Sequence, residues 1–591
     1  MTPLARLCAS HGIEPRYHGI DGAEQEVPED TLRTLAEVFD LTAEAETAPA
    51  GIAEARAEIA PPRCFVPPVL QDARAWGITA QVASLVSDRN LGMGDFADLA
   101  SLAQIAAAEG ADFLGVNPLH AMFWSDPERI SPFSPSNRRF LDPRYLAPDW
   151  IDGFDGLTPE EADHAARLRG TPRVQTPAAA VLKDRVLRRL FARAGPDPEF
   201  DAFVRKGGEA LRAHALFETV SAAMVRDGHA AGWMGWPEPY QDCRSDEVHR
   251  LADQHPDDRR YHLWLQWQTD RQLARVQRTA RESGMRIGLY LDIAVGAQSD
   301  GSASWTDPHL TVPELKIGAP PDPFSARGQD WGLAPLSPVV MRERRGEPLA
   351  EIMAAVMRHA GAVRIDHAMS LARLWLIPQG RAAVEGAYMR YPLSILLARL
   401  AETSQAARTM VIGEDLGVVP HGFRTLMADR ALHSYKVWFF ERGPDGLPDI
   451  AAWPADGLAC LGTHDLHTTP GWIAGADIDL ATDLGRIDPD DAGRALESRH
   501  DDRARLARLL GAEETGLSLS LALHRHMAAS PCRLAALQIE DALGVEAQVN
   551  VPGTIDEYPN WRTRLPVPLD GLSDDHGFRA HTQAMRDARP R

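Results

Sequence analysis

Cysteine is scarce. Five occur in 591 residues, at Cys8, Cys64, Cys243, Cys460 and Cys532, with no C-x-x-C pair. An odd, dispersed set excludes a disulfide framework and a zinc site, and predicts reduced thiols in a cytoplasmic protein. No stretch of 18 apolar residues is present, so no membrane span is expected. The opening MTPLARLCASHGIEPR lacks the apolar core of a secretory signal. Basic charge is also in short supply. Lys and Arg total 62 against 83 Asp and Glu, a net charge of −21. That balance speaks against nucleic acid or an anionic membrane as partner, because both select basic surfaces. It suits a neutral substrate, which needs no charge steering. Walker, H-E-x-x-H and G-x-S-x-G motifs are missing, and the 21 histidines show no zinc spacing.

What remains is the composition of an ordinary globular protein, 44 % apolar and 25 % charged. Residues 1–60 read as a small helical module, because LARLCASHGI and EDTLRTLAEVFDL carry apolar residues at helical spacing. Asp30 is the expected cap of the second helix. Pro61, Pro62, Pro67 and Pro68 mark a stiff linker over 61–72.

From residue 73 to 591, strand-like runs alternate with helical stretches. Eight stand out: TAQVASL (79–85), DFLGVNP (112–118), RIGLYLDI (286–293), AVRIDH (362–367), MVIGED (410–415), YKVWFF (435–440), LACLGTHD (458–465) and LAALQIED (534–541). Near-continuous apolar runs suit parallel strands covered on both faces. Eight strand–helix repeats predict an α/β fold, a closed (β/α)8 TIM barrel. Residues of about 145–280 form a long helical insertion that builds one wall of a cleft. Gly92-Met93-Gly94-Asp95-Phe96-Ala97 matches a dinucleotide fingerprint, but the second strand ends on Asn117-Pro118 where an acid is needed. A tight turn into a helix is the better reading there.

Five of the runs finish on an acid: Asp292, Asp366, Glu414, Asp465 and Asp541. In a barrel the carboxyl ends of the strands converge on one mouth. Any single acid there is as easily a helix cap or a turn residue. Five converging like charges are unfavourable unless chemistry uses them. Two chemistries need such a cluster. One is glycosidic bond cleavage by a carboxylate nucleophile and a carboxylic general acid. The other is a divalent-metal cage, as in barrel enzymes that form enolates. Arg364 lies two residues before Asp366 and shares its face of the strand, where it can hold the carboxylate ionised. A cation there gives nothing to a metal cage. His464 can donate to a sugar hydroxyl, and Trp124, Trp305, Trp331 and Trp472 follow strands, where flat rings suit pyranose faces. The set favours sugar chemistry over metal chemistry.

Three blocks then resemble the catalytic blocks of the 4-α-glucanotransferases (amylomaltases, or disproportionating enzymes). They are Val363-Arg364-Ile365-Asp366-His367, Ile412-Gly413-Glu414-Asp415-Leu416-Gly417 and Gly462-Thr463-His464-Asp465. Ser131-Pro132-Phe133-Ser134-Pro135-Ser136, Gly328-Gln329-Asp330-Trp331-Gly332, Asn550-Val551-Pro552-Gly553-Thr554 and Pro559-Asn560-Trp561-Arg562 agree in family order, over about residues 75–570. The N-terminal module and the run Asp366-His367-Ala368-Met369-Ser370-Leu371 resemble the bacterial branch linked to maltose metabolism. The resemblance implies retaining transfer of α-1,4-glucan segments between maltooligosaccharides, with no cofactor and no metal. It implies Asp366 as nucleophile, Glu414 as general acid and base, and Asp465 as the acid that holds the distorted sugar. It places Arg364, His464, Asp292 and Asn550 around the substrate, and Asp322, Gln329 and Trp331 on a loop that covers the donor. Phe133 stands where the family usually has Tyr, and Leu291 where this branch has Arg. A hydrolase of the same clan, a Mg²⁺-dependent barrel enzyme and a non-catalytic glucan binder are the alternatives.

Overall fold

The computed structural model describes all residues except 20–21, 43–48, 50, 322–324, 326, 444–445 and 515. Its centre is a closed barrel of eight parallel strands: β1 (Ala75–Ala80), β2 (Phe113–Val116), β3 (Gly288–Ile293), β4 (Ala362–Ile365), β5 (Met410–Gly413), β6 (Leu432–Val437), β7 (Gly457–Cys460) and β8 (Leu534–Gln538). Each strand pairs with its successor, and β8 closes on β1 with Leu534 opposite Ala75. Phe113, Tyr290, Tyr435, Cys460 and Ala536 pack together inside the barrel. Two glycines make room for the large rings. A Cβ at Gly77 would lie 2.3 Å from the Phe113 carbonyl, and one at Gly115 would lie 2.7 Å from the Tyr290 ring. Side chains on a strand alternate with period two. Counting on from Tyr290, Ala362 and Ile412 therefore brings Asp292, Arg364, Asp366 and Glu414 to the inner face at the carboxyl rim.

Two first-glance strands are displaced. β1 ends at Ala80 rather than running through 79–85, because the Asn117 side chain accepts from the Val82 N–H and Val82–Ser84 turn into a 3-10 helix. β6 begins at Leu432, three residues before the apolar run, and Trp438–Phe440 already form a turn. The glycine-rich segment after β1 makes the expected tight turn. Gly94 backs onto the Val82 carbonyl, and Asp95 caps the helix Phe96–Ala108.

The span between β2 and β3 contains a helical insertion with three long helices, Thr176–Arg193, Pro198–Arg226 and Pro256–Glu282. The loops leaving β3 and β4 build a second, five-stranded antiparallel sheet on the rim. Its order is Ala387–Arg390, Arg373–Pro378, Leu315–Ala319, Gln329–Ala334, Ala297–Gln298. Sequence reading gave no sign of this sheet.

The N-terminal module is not purely helical, which corrects the expectation. Helices Pro3–Ser10, Glu29–Val38 and Ile52–Arg56 are joined by a hairpin, Arg16–His18 with Glu24–Glu26. Asp30 lies inside the first turn of its helix and does not cap it; Pro28 is the N-cap. The module docks on the rim sheet. Ile13 pairs with Met389, the Glu14 N–H donates to the Tyr388 carbonyl (2.8 Å), and Tyr17 packs edge-on against Trp375 (4.8 Å). The proline segment is held as well. The Cys64 N–H donates to the Arg430 carbonyl and the Phe65 N–H to Ser404 Oγ, each at 2.8 Å.

At the opposite end of the barrel, Arg589 is fully buried and donates to the carbonyls of Ala75, Ala528, Ser530 and Cys532. Burial lowers its pKa to about 9. Arg589→Met would take this donor from the carbonyls of Ala75, Ala528 and Cys532, while Arg74 still serves Ser530. Each unsatisfied buried group costs about 1–3 kcal/mol. A drop of several degrees in the thermal unfolding midpoint is expected, and an unchanged midpoint would refute the role.

Candidate active site

β3, β4 and β5 run in register, with Asp292 opposite Arg364 and Ile365 opposite Gly413. Asp366 and Glu414 are thus the next residues on adjacent staves, whose backbones lie about 4.8 Å apart. The Glu414 N–H donates to the Ile365 carbonyl at 3.0 Å, which closes that register. Arg364 lies between the carboxylates. Its Nη1 reaches both oxygens of Asp292 (2.9 Å each) and Oδ1 of Asp366 (3.0 Å). Burial works to weaken the guanidinium as a base, but Asp292 and Asp366 outweigh it and hold its pKa well above the ordinary value. Burial also lifts the Asp292 carboxyl, with the guanidinium working against that rise.

Glu414 is 7 % exposed and its pKa is pushed up to about 7. Burial is the first cause, opposed by Arg364 and reinforced by the Asp366 charge. The neighbouring anion is thus secondary to burial. Two backbone N–H groups hold the carboxyl, from Leu416 to Oε1 (2.6 Å) and from His367 to Oε2 (2.8 Å).

Asp465 lies on the loop after β7 and is held from two sides. Asn550 Nδ2 donates to Oδ1 at 2.6 Å, and His464 Nε2 is 3.2 Å from Oδ2. Burial pushes the carboxyl up, but the imidazole and the amide hold it below the usual range. The same contact raises His464 against its own burial. Phe133 stacks on His464 (4.6 Å, 26°), and Trp561 leans on both rings (5.6 and 5.4 Å). This aromatic platform was missed as a unit, although Phe133 and Trp561 both lie in the motif blocks.

The fifth strand-end acid does not join the cluster. Asp541 is buried, accepts from the Thr469 N–H and hydroxyl (2.7 Å each) and faces His524. It performs the bland role of holding a helix start. Three of the four tryptophans also turn away from sugar duty. Trp305 and Trp472 are buried in packing clusters, and Trp124 donates to Asp184. Trp331 alone of the four reaches the rim, edge-on to His367 at 5.2 Å. Its indole donates to Gln329 Oε1 (3.1 Å) on the same strand. Asp322 lies outside the described residues.

These features bear on the alternatives. The position between Asp292 and Asp366 that a divalent cation would take is filled by a guanidinium, so the donor set does not suit a metal. The family described as 4-alpha-glucanotransferase matches residues 80–570.

The chain belongs to the 4-alpha-glucanotransferase family.

It is an enzyme of that family, which acts on α-1,4-glucans. A 4-alpha-glucanotransferase of Haemophilus influenzae is 34 % identical over 547 residues, 86 % of this chain and 78 % of the relative. One from Mycobacterium tuberculosis is 35 % identical over 572 residues, 91 % of this chain and 78 % of the relative. Among solved structures, amylomaltase from Corynebacterium glutamicum superposes with a TM-score of 0.84 at 25 % identity, covering 98 % of this chain and 99 % of that one. The family match and the curated relatives carry the transferase activity over a metal-dependent or non-catalytic reading. Among the described residues, no helix is long and apolar enough to cross a membrane.

Proposed function

We propose that this 4-alpha-glucanotransferase transfers segments between maltooligosaccharides by double displacement, with Asp366 as nucleophile and Glu414 as acid and base. The family retains anomeric configuration. Retention asks for two carboxyls about 5–5.5 Å apart. What supports the assignment above all is the adjacency of Asp366 and Glu414 on β4 and β5, with Arg364 against the former.

The Asp366 carboxylate attacks the anomeric carbon of the donor. The bond to the leaving oxygen breaks, and the Glu414 proton goes to that oxygen. A glycosyl ester on Asp366 remains. The acceptor's 4-hydroxyl then attacks the same carbon, its proton passes to Glu414, and Asp366 leaves as a carboxylate. Asp465, steadied by His464 and Asn550, takes hydroxyls of the distorted ring. Asp292 holds Arg364 against the nucleophile. Phe133, His464 and Trp561 offer a flat face to the sugar. The location we infer is cytoplasmic, supported by five free thiols, four of them buried.

Pure maltotriose tests the reading. A ladder of longer and shorter sugars is the expected product, and glucose plus maltose alone would indicate hydrolysis. Transfer needs the acceptor to outcompete water, so a cover over the ester is required. The hairpin of Leu315–Ala319 and Gln329–Ala334 carries Trp331 to the rim and is our candidate for it. Trp331→Ala is expected to raise hydrolysis relative to transfer several-fold. Growth of total reducing ends during maltotriose turnover measures this, since transfer leaves their number constant. An unchanged ratio removes the hairpin from this role.

A further inference from the structure

His367 has a left-handed backbone, φ +48°, one of seven such non-glycine residues among those described. That conformation costs a residue with a Cβ, and it clusters at functional sites where surrounding structure enforces it. Here the benefit is visible. The His367 N–H donates to Glu414 Oε2 (2.8 Å), and the left-handed turn at its Cα then brings the next N–H, of Ala368, onto the Glu414 carbonyl (2.8 Å), which holds the intervening peptide in place. Backbone and side chain of the acid are thereby stitched to the segment that follows Asp366. The strained turn is braced from outside the barrel by Trp331, whose ring meets the His367 ring edge-on (5.2 Å, 74°).

We propose that His367 is a positioning residue for Glu414, and that the hairpin bearing Trp331 acts on this acid through it. The inference rests on Glu414 as the acid and base. A backbone N–H aimed at a carboxyl oxygen favours the ionised form. Burial and the Asp366 charge favour the protonated form. In the first half-reaction Glu414 must carry its proton. Once Asp366 is esterified its charge is gone, and Glu414 must serve as a base. An N–H held fixed through both steps tips the group toward the carboxylate at the moment the neighbouring anion disappears. A glucan pressing on Trp331 reaches this N–H through the His367 ring.

The other charged groups around Glu414 are accounted for. Arg364 and Asp366 face it from the β4 side. Asp415 turns away to Arg424, Ser434 and the Tyr435 N–H. On the hairpin, Asp330 is paired with Lys316, and Gln329 and Trp331 are neutral. Arg373, near His367, is engaged by Glu14. Burial keeps the imidazole itself neutral, with its pKa lowered to about 4. Its contact with Trp331 is therefore ring packing.

The test is the pH profile of kcat/KM for maltotriose. The alkaline limb reports loss of the acid's proton in the free enzyme. His367→Val, which resists a left-handed backbone, withdraws the N–H and should move that limb upward by about one pH unit, the size of one charge-assisted hydrogen bond. His367→Asn, which tolerates the conformation, should keep the limb within a few tenths of wild type. Trp331→Ala, which removes the brace but leaves the residues of the turn itself intact, should move it in the same direction by less, and covers the case in which His367→Val fails to fold. A lower kcat with an unmoved limb in both His367→Val and Trp331→Ala means plain structural support and overturns the proposal. Glu414→Gln run alongside separates the two failures: full activity in that variant sinks the assignment of the acid, whereas inactivity with unmoved limbs sinks only the positioning role.

Discussion

Glu414→Gln is expected to slow maltotriose disproportionation by about 10²–10⁴-fold, the range for removing a general acid–base. The amide fills the same space but has no proton to give the leaving oxygen and cannot take one from the acceptor. Its NH₂ must also face one of the two backbone N–H groups that now hold the carboxyl, so a small loss of stability accompanies the loss of rate. The effect on the first step should shrink with a nitrophenyl maltoside, whose leaving oxygen needs little protonation. Comparable losses on both substrates would indicate that Glu414 serves structure rather than proton transfer. In the wild type the sign of the pH dependence follows from burial. The carboxyl is pushed up to about 7, so kcat/KM should fall as pH rises past about 7 and the acid loses its proton.

Arg364→Met should be as damaging for a different reason. Arg364 is 6 % exposed, and its guanidinium serves Asp292 and Asp366 together. Removing one partner of a buried pair costs about 3–5 kcal/mol, because the other charge is left without compensation. Asp292 would respond by taking up a proton, and Asp366 would lose the cation beside its attacking oxygen. We expect a clearly lower unfolding midpoint together with transfer activity reduced at least 10²-fold. Adding Asp292→Asn to Arg364→Met should recover part of the stability and none of the activity. A double variant no more stable than Arg364→Met would show that the pair is not energetically coupled.

The barrel and its three principal acids are legible in the sequence because parallel strands advertise themselves as unbroken apolar runs, and because an acid closing such a run is costly without a purpose. Asp541 closes a run in the same way yet only holds the start of Thr469–Ala474. Position along a strand cannot distinguish a carboxylate facing substrate from one facing a helix amide. β6 was misplaced because His433 and Ser434 look too polar for a barrel strand. His433 is nonetheless buried, and Ser434 bonds to Asp415 across the strand junction. The rim sheet went unread because its strands lie far apart in sequence, in what composition alone marks as loops. The left-handed turns at His367 and Trp561 have no sequence signature either, since neither position holds the glycine that usually marks one.

The rim sheet makes Ile13 and Trp331 parts of one hydrogen-bonded body. From the bridge at Met389 the ladder passes through Arg373–Pro378 and Leu315–Ala319 to Gln329–Ala334. Four lateral steps of about 4.8 Å cover the distance. A segment remote from the strand-end acids is therefore tied by ladders to the ring we propose as the cover of the reaction. Changes at Glu14 or Tyr17 can retune how tightly glucans are enclosed without altering any group that touches them, which gives selection a dial far from the chemistry.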